Sequence, residues 1–204
     1  MISLGRGRKC DDMKPILFST PMVQAILAGR KTQTRRVIKP QHVRRSDGRG
    51  TLEKIPLNAF ADEVGLEVIA EFSPRCPGDI LYVRETWLQE EYPEFHYVYK
   101  ASCPKPEDYP EKWRPSIHMP RAAARIFLRV TDVRVERLQQ ITYGDCCAEG
   151  VFDREDLKSC AHGSIATERF RELWNSLNAK RGYGWGVNPW VWVYEFERIE
   201  SEEA

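Results

Sequence analysis

The stretch ILAGRKTQTRRVIKP, Ile26 to Pro40, changes character halfway along its length. It opens as the apolar end of a helix and finishes as a strand-like run carrying Arg30, Lys31, Arg35, Arg36 and Lys39. Gly29 is placed to take the left-handed backbone that ends a helix. Thr32 to Ile38 then reads as a strand, stopped by Pro40, which disfavours continuation of regular structure before it. Upstream, KPILFST is a short strand and TPMVQAILAG a compact helix. Thr20 is its expected cap, Pro21 sits at its first position, and Met22, Val23, Ile26 and Leu27 form its buried stripe.

Working downstream, residues 41–78 read as a polar excursion ending in the turn cluster PRCPGD. DILYVRE and EFHYVYKAS are expected strands, and CPKPEDYPEKWRP is a proline-rich loop. ARIFLRVTDVRVERL has apolar residues at 126, 128 and 130 and again at 133 and 135. That one-residue change of phase near Thr131-Asp132 predicts a bulge or bend in one long strand. Thr142 and Asp145 have capping-box spacing for a short helix closed by Gly150. Phe170, Leu173, Trp174 and Leu177 have helical spacing, and PWVWVYEFERI is a β-forming closing strand.

Strands outnumber helices, so the expected fold is mixed α+β and predominantly β. A small, partly closed β-barrel with short helices capping its ends suits this pattern. A doubly wound nucleotide-binding sheet does not, because strand–helix–strand alternation and a glycine-rich phosphate loop are missing. One domain is expected over 14–198, with an insertion at about 41–75, a flexible leader over 1–13 and an acidic tail over 199–204.

The chain has 204 residues and a formal net charge of +1, which excludes coating of nucleic acid by bulk charge. The charge is nonetheless concentrated. Arg30 to Arg49 holds eight Lys/Arg against Asp47 alone, +7 locally, so the remainder sums to −6. Such a patch fits local recognition of an anion, although Arg44, Arg45 and Arg49 also read as a solvated loop. The six cysteines form no CxxC pair. With no apolar signal region at the N-terminus, the expectation is free thiols in a cytoplasmic protein without membrane contact.

GRKTQTRR, followed by PGDILYVRETW, SIHMPRAAARIFLRVTDVRVERL, ITYGDCCAEG and NPWVWVYEFE, resembles the ASCH family in both order and spacing. These are small β-barrel proteins related in shape to the PUA domains that bind RNA, and the likeness is to the members found in bacteriophages and prophages. The resemblance implies binding of RNA, a nucleotide or a modified nucleobase. One bacterial branch hydrolyses the amide of N4-acetylcytidine with a lysine, a threonine and a glutamate, which fall here on Lys31, Thr34 and Glu149. Another member is a ribonuclease, the one alternative under which a divalent metal enters; otherwise no cofactor is implied. This chain is about twice as long as the amidohydrolases, and its 41–75 insertion lies close in sequence to the matching residues.

Amide hydrolysis needs a nucleophile, a base for its proton and a donor for the departing amine. Thr34 suits the first role. Lys31 suits the others if its pKa is lowered, for which the like charges of Arg30, Arg35 and Arg36 offer a cause. Glu149 either orients Lys31 or activates a water while Lys31 stabilises the oxyanion. Lys31 and Thr34 have opposite strand parity, so they converge only if Lys31 belongs to the turn and its side chain reaches back. By the same parity Arg36 belongs on Thr34's side, and Arg35 on the other, free to meet an acid.

Further candidates for ligand contact are Arg30, Arg35, Arg84, Glu85, Trp87 and His118. Trp87 reads either as a stacking platform or as core, and Glu85 either as an acceptor for a base or as an internal partner of an arginine. Cys146, Cys147, Cys160 and His162 match no established zinc spacing, and no metal is expected there.

Overall fold

The computed structural model describes residues 13–46, 52–57, 59, 62, 65–90, 96–109, 112–152 and 163–200. Strands β1 (Lys14–Leu17), β2 (Gln33–Val37), β5 (Ile80–Arg84), β8 (Phe127–Arg137) and β9 (Trp190–Ile199) form a five-stranded sheet in the order β1-β5-β8-β9-β2. Two antiparallel hairpins accompany it: β3 (His42–Ser46) with β4 (Leu52–Pro56), and β6 (Trp87–Glu90) with β7 (His96–Tyr99). The α-helices among the described residues include α1 (Thr20–Leu27), α2 (Leu66–Ala70), α3 (Tyr143–Ala148) and α4 (Gly163–Asn178). The fold is mixed α+β. Among the described residues, β1 and β2 stand at the two ends of the sheet order, with no hydrogen-bonded pairing that closes it.

The local expectations hold where a short-range physical cause dictates them. Gly29 has φ 69, the left-handed turn that releases the chain from α1 into β2. The helix itself begins one residue earlier than expected, because the Ser19 carbonyl already accepts from Val23 N. Thr142 Oγ1 accepts from Asp145 N while Asp145 Oδ2 accepts from Thr142 N, a reciprocal capping box at the start of α3. Gly150, φ 76, closes that helix. In β8 the buried residues are Leu128 and Val130, then Val135, with Thr131 and Asp132 exposed between them. The phase change is therefore real, and it falls within a single continuous strand.

Some elements depart from the sequence reading. The excursion over 41–75 contains the β3–β4 hairpin and α2, which its charged composition hid. Within EFHYVYKAS the described strand is His96–Tyr99, and Lys100–Ser102 tighten into a 3-10 turn rather than extending it.

The chain packs as two compact units, both of which include parts of β8 and β9. The first comprises residues 1–27, 77–131 and 196–204. Here β1 runs parallel to β5, with Lys14 Nζ 2.5 Å from Asp79 Oδ2. Ile16, Leu81, Val83, Leu128 and Val130 are buried in this unit. A second cluster holds Trp87, Met119 and Ala123. Glu85, 1% exposed, is gripped by the Arg125 fork at 2.9 and 3.0 Å, and the same guanidinium lies 4.0 Å over the Tyr99 ring.

The second unit comprises residues 28–76 and 132–195. In β9 the run from Val191 to Tyr194 is buried throughout, which explains why that strand reads as continuously apolar. Its two sides enter two cores. Val191 and Val193 pack with Leu138, Cys146, Phe152, Phe170 and Trp174. Trp192 and Tyr194 pack with Ile38, Leu57, Ile69 and Val135. Burial of each of these valines contributes about 2 kcal/mol.

The Glu85–Arg125 pair gives a direct test of the first unit. Arg125→Met leaves a buried carboxylate without its fork and is expected to cost about 3 kcal/mol. The measurement is a urea titration, with a lowered midpoint and an unchanged slope. Arg125→Lys recovers only part of the loss, because an ammonium cannot span both oxygens.

Candidate functional site

The site is built in the second unit where β2 leaves the Gly29 turn and meets the end of α3. Six-residue α3 leaves carbonyls at its C-terminus without helical partners. Thr32 N donates to Ala148 O at 2.9 Å, which ties the entry of β2 to this helix end. Lys31 completes the tie. Its Nζ lies 2.9 Å from Glu149 O, 2.7 Å from Glu149 Oε2 and 2.7 Å from Gln33 O. Three acceptors around one nitrogen match the three donors of an ammonium. The Lys31 side chain is 0% exposed and that of Glu149 4%, so the ion pair is dry.

Burial lowers the Lys31 pKa; the Glu149 carboxylate opposes this and the Arg36 and Arg35 guanidiniums add to it. Desolvation therefore leads, and like charge is secondary. Arg30 is not among these causes: its guanidinium turns away to donate to the Phe152 carbonyl.

The β2–β9 register divides the strand into two chemically different faces. Thr34 is opposite Tyr194 and Arg36 opposite Trp192, so these four share one side. Gln33 and Arg35 lie on the other. Arg35 is fully buried there. Its Nη2 is 3.0 Å from Glu136 Oε2 and 3.2 Å from Asp145 Oδ2, and its Nη1 is 3.5 Å from Glu149 Oε1. Arg134 extends the same network, reaching Glu136, Asp145, Glu195 and Gln33. Burial alone would raise the Asp145 carboxyl, but hydrogen bonds from Thr142 and the charge of Arg35 outweigh it and hold the pKa at about 2. Burial pushes the Cys146 thiol up to about 11, so this cysteine is a poor nucleophile at neutral pH.

On the Thr34 face, Ser73 Oγ and Tyr194 Oη are 3.0 Å apart, and Arg75 lies 5.4 Å over the Tyr194 ring. Burial lowers the Arg36 pKa and so does the Arg75 guanidinium, with Glu149 and Tyr194 opposing and Arg181 adding to the fall. Thr34 is buried and makes no hydrogen bond to Lys31 or Glu149 among the described residues. The structure thus brings Lys31 and Glu149 together and sets Thr34 three positions along the chain, on the face shared with Arg36.

The remaining candidates belong to the first unit. Arg84 Nε donates to Met119 O at 2.8 Å, and Glu85 is held by Arg125 rather than by its neighbour Arg84. Trp87 is 3% exposed, edge-on to Tyr97, with Arg114 5.1 Å over its ring. An indole so enclosed is core and offers no free face to a base. His118 is exposed at the end of a 3-10 turn, Ser116–His118. Sequence reasoning missed Ser73, Arg75, Glu136, Asp145 as an Arg35 ligand, Arg181 and Tyr194. Tyr194 was within reach, since it shares parity with Trp190 and Trp192. Arg75 and Arg181 carried no signal, being single arginines in turns.

Cys76, Cys103, Cys146 and Cys147 are not joined in disulfides. Cys10, Arg49, Cys160 and His162 lie outside the described residues, as do the side chains of Arg44 and Arg45. Among the described residues no group of three or more His, Cys, Asp or Glu is arranged to hold a metal ion, and no helix is long and apolar enough to cross a membrane.

No protein-family model matches the chain. No curated protein matches it either. Among solved structures, the chain is similar to the crystal structure of protein EF3133 from Enterococcus faecalis V583, of the DUF984 family, at 12% identity and a TM-score of 0.40. That likeness covers 88% of this chain and 69% of the other.

Two measurements test the ion-pair chemistry. Lys31→Met isolates the Glu149 carboxylate beside Arg35 alone and is expected to cost roughly 3 kcal/mol or more by denaturant titration. Asp145 titrates at about 2 in the folded chain against 3.8 when unfolded, so its stabilising contribution is complete above about pH 4 and lost as pH falls towards about 2. Asp145→Asn removes that part of the acid limb of a melting-temperature-versus-pH curve.

Proposed function

We propose that this chain binds a nucleotide or a modified nucleoside at the Thr34–Arg36 face of β2, next to the Lys31–Glu149 pair. The fold is read as an ASCH-like, PUA-related barrel in which β2 and the end of α3 frame a basic pocket. The observation that carries the reading is the dry Lys31–Glu149 contact at 2.7 Å, set at the head of a strand whose next residues include Thr34 and Arg36. An ion pair so far from water is costly to form, and apolar residues of similar volume often match a buried pair of this kind in stability. Retaining it where a hydroxyl and a half-buried arginine follow favours a chemical role. Arg36 supplies a planar fork able to grip phosphate or lie against a base. RNA is the larger ligand of the same kind.

The lowered Lys31 pKa favours a second reading, hydrolysis of an acyl group on an exocyclic base amine. This reading requires Lys31 to leave one of its three acceptors, lose its proton and come within reach of the Thr34 hydroxyl, whose proton it then takes as Oγ1 attacks the amide carbonyl. The C–N bond breaks and the departing amine receives that proton from Lys31. Water then cleaves the Thr34 ester, releasing the carboxylic acid and restoring the hydroxyl. Glu149 orients Lys31 throughout.

Calorimetry with cytidine, N4-acetylcytidine, their 5′-phosphates and a short single-stranded RNA tests the binding reading. Binding of at least one of them, lost or weakened about tenfold in Arg36→Ala, is expected. No binding to any of them overturns it. Chromatography of the N4-acetylcytidine incubation tests hydrolysis. Cytidine and acetate should appear, at a rate reduced by a factor of about 100 or more in Thr34→Ala. Turnover unaffected by that substitution removes Thr34 as nucleophile.

A further inference from the structure

We propose that residues 112–125 of the first unit are a contact surface for the phosphodiester backbone of a single-stranded nucleic acid. The surface uses none of the residues of the β2 face, so it stands or falls apart from the nucleotide reading.

Residues 112–125 carry Lys112, Arg114, Arg121 and Arg125 and no Asp or Glu, a local charge of +4. The segment is pinned to the ends of three strands. Arg114 forms an antiparallel bridge with Trp87 at the start of β6, donating to Trp87 O at 2.8 Å and accepting from Trp87 N at 3.2 Å. Met119 O accepts from Arg84 Nε at the end of β5, and Ala123 O accepts from Tyr99 Oη at the end of β7. Met119 and Ala123 are buried and anchor the segment. Lys112, Arg114, Ile117, His118 and Arg121 are left exposed.

Most of this charge is unanswered. Arg125 is occupied by Glu85. Arg84, Lys112, Arg114 and Arg121 have no carboxylate in ion-pair reach among the described residues. Arg114 lies 5.1 Å over the Trp87 ring, which steadies its guanidinium without consuming its N–H donors. Of the preceding carboxylates, Glu90 Oε2 is 3.0 Å from His96 Nε2, and Glu107 is exposed in the turn Pro106–Asp108, where the basic surface ends.

Three of the four available cations are arginines, whose planar forks grip phosphate oxygens from a surface without an enclosing cavity. Phosphates recur along a polymer, so an extended segment meets several of them at once. Trp113, between Lys112 and Arg114, is half-buried. Its indole N–H donates to Pro106 O at 3.1 Å, and its ring is tilted against Tyr109 at 5.4 Å. An aromatic ring held beside cations is a platform for an unpaired base, which favours a single strand over a duplex. Ile117 is the exposed large apolar side chain of the segment, too little apolar surface to seat it in a lipid layer.

The experiment is fluorescence anisotropy with a labelled oligouridylate of about 20 nucleotides, without terminal phosphate, at two salt concentrations. Lys112→Glu and Arg121→Glu are compared with Arg198→Glu, an exposed position of the same unit that controls for net charge. Each variant is checked for native circular dichroism. Expected is binding that weakens about tenfold in Lys112→Glu and in Arg121→Glu but not in Arg198→Glu, with a shallower salt dependence in the first two. Trp113→Leu is expected to weaken it about fivefold or more. Neither Lys112→Glu nor Arg121→Glu is expected to alter binding of cytidine 5′-monophosphate, which separates this surface from the β2 face. An equal loss in all three charge reversals overturns the surface, because net charge then accounts for binding. Binding that neither reversal in the segment weakens overturns it, as does no binding at the lower salt concentration. A duplex of the same length that binds as tightly overturns the single-strand assignment. Binding to phosphatidylserine vesicles without binding to the oligouridylate overturns the nucleic-acid assignment.

Discussion

The contact between Lys31 and the end of α3 is the constraint from which the second unit is organised. A lysine excluded from water is tolerated only if its charge is answered, and here one residue answers it twice, through the Glu149 carboxylate and the Glu149 carbonyl. The carbonyl belongs to the unsatisfied end of a helix, where a cation is electrostatically favoured. The same ammonium also bonds Gln33 O in the first residue of β2. One side chain therefore joins a helix terminus to a strand start, and the register of Thr34, Arg35 and Arg36 is set by where that strand begins.

From that start, alternation along β2 sorts the charges. Arg35 is directed to Glu136, Asp145 and Glu149, an arrangement in which the carboxylates offset a fully buried guanidinium. Arg36 is directed to the side of Tyr194, among other cations. Adjacent arginines thus serve opposite ends. Arg35 stabilises the packing of β2 against α3 and α4, lying 6.0 Å from the Phe170 ring. Arg36 lies on the face that holds the Thr34 hydroxyl and the Tyr194 ring, which Arg75 covers. Glu149 links the two sides, because its oxygens serve Lys31 and Arg35 and its charge is still felt by Arg36.

The residues of the first unit show how the same amino-acid types take a structural role. Glu85, Arg125 and Trp87 include the acid, the arginine and the aromatic ring expected in a nucleobase site. Glu85 is occupied by both branches of the Arg125 fork, and Trp87 is sealed by Met119, Ala123 and neighbouring aromatics. The difference from the second unit is one of balance. In the first, one carboxylate meets one guanidinium with matched geometry. In the second, one guanidinium, that of Arg35, is divided among three carboxylates.

Short-range physics made much of this legible in the sequence. Gly29 and Gly150 end helices because only their backbones enter the left-handed region at no steric cost, and Thr142 with Asp145 spells a cap within four residues. Parity placed Arg36 beside Thr34 and Arg35 away from it, and the phase change at Thr131-Asp132 appears in the burial of β8. The β3–β4 hairpin was hidden because its residues are charged without a clear apolar alternation. The pairing of Arg35 with three carboxylates, of Glu85 with Arg125 and of Tyr194 with Ser73 and Arg75 joins residues that are 40 to 121 positions apart. No local rule selects such partners. They are chosen when the chain closes on itself, because a buried charge takes whichever opposite group the packing of the sheet delivers.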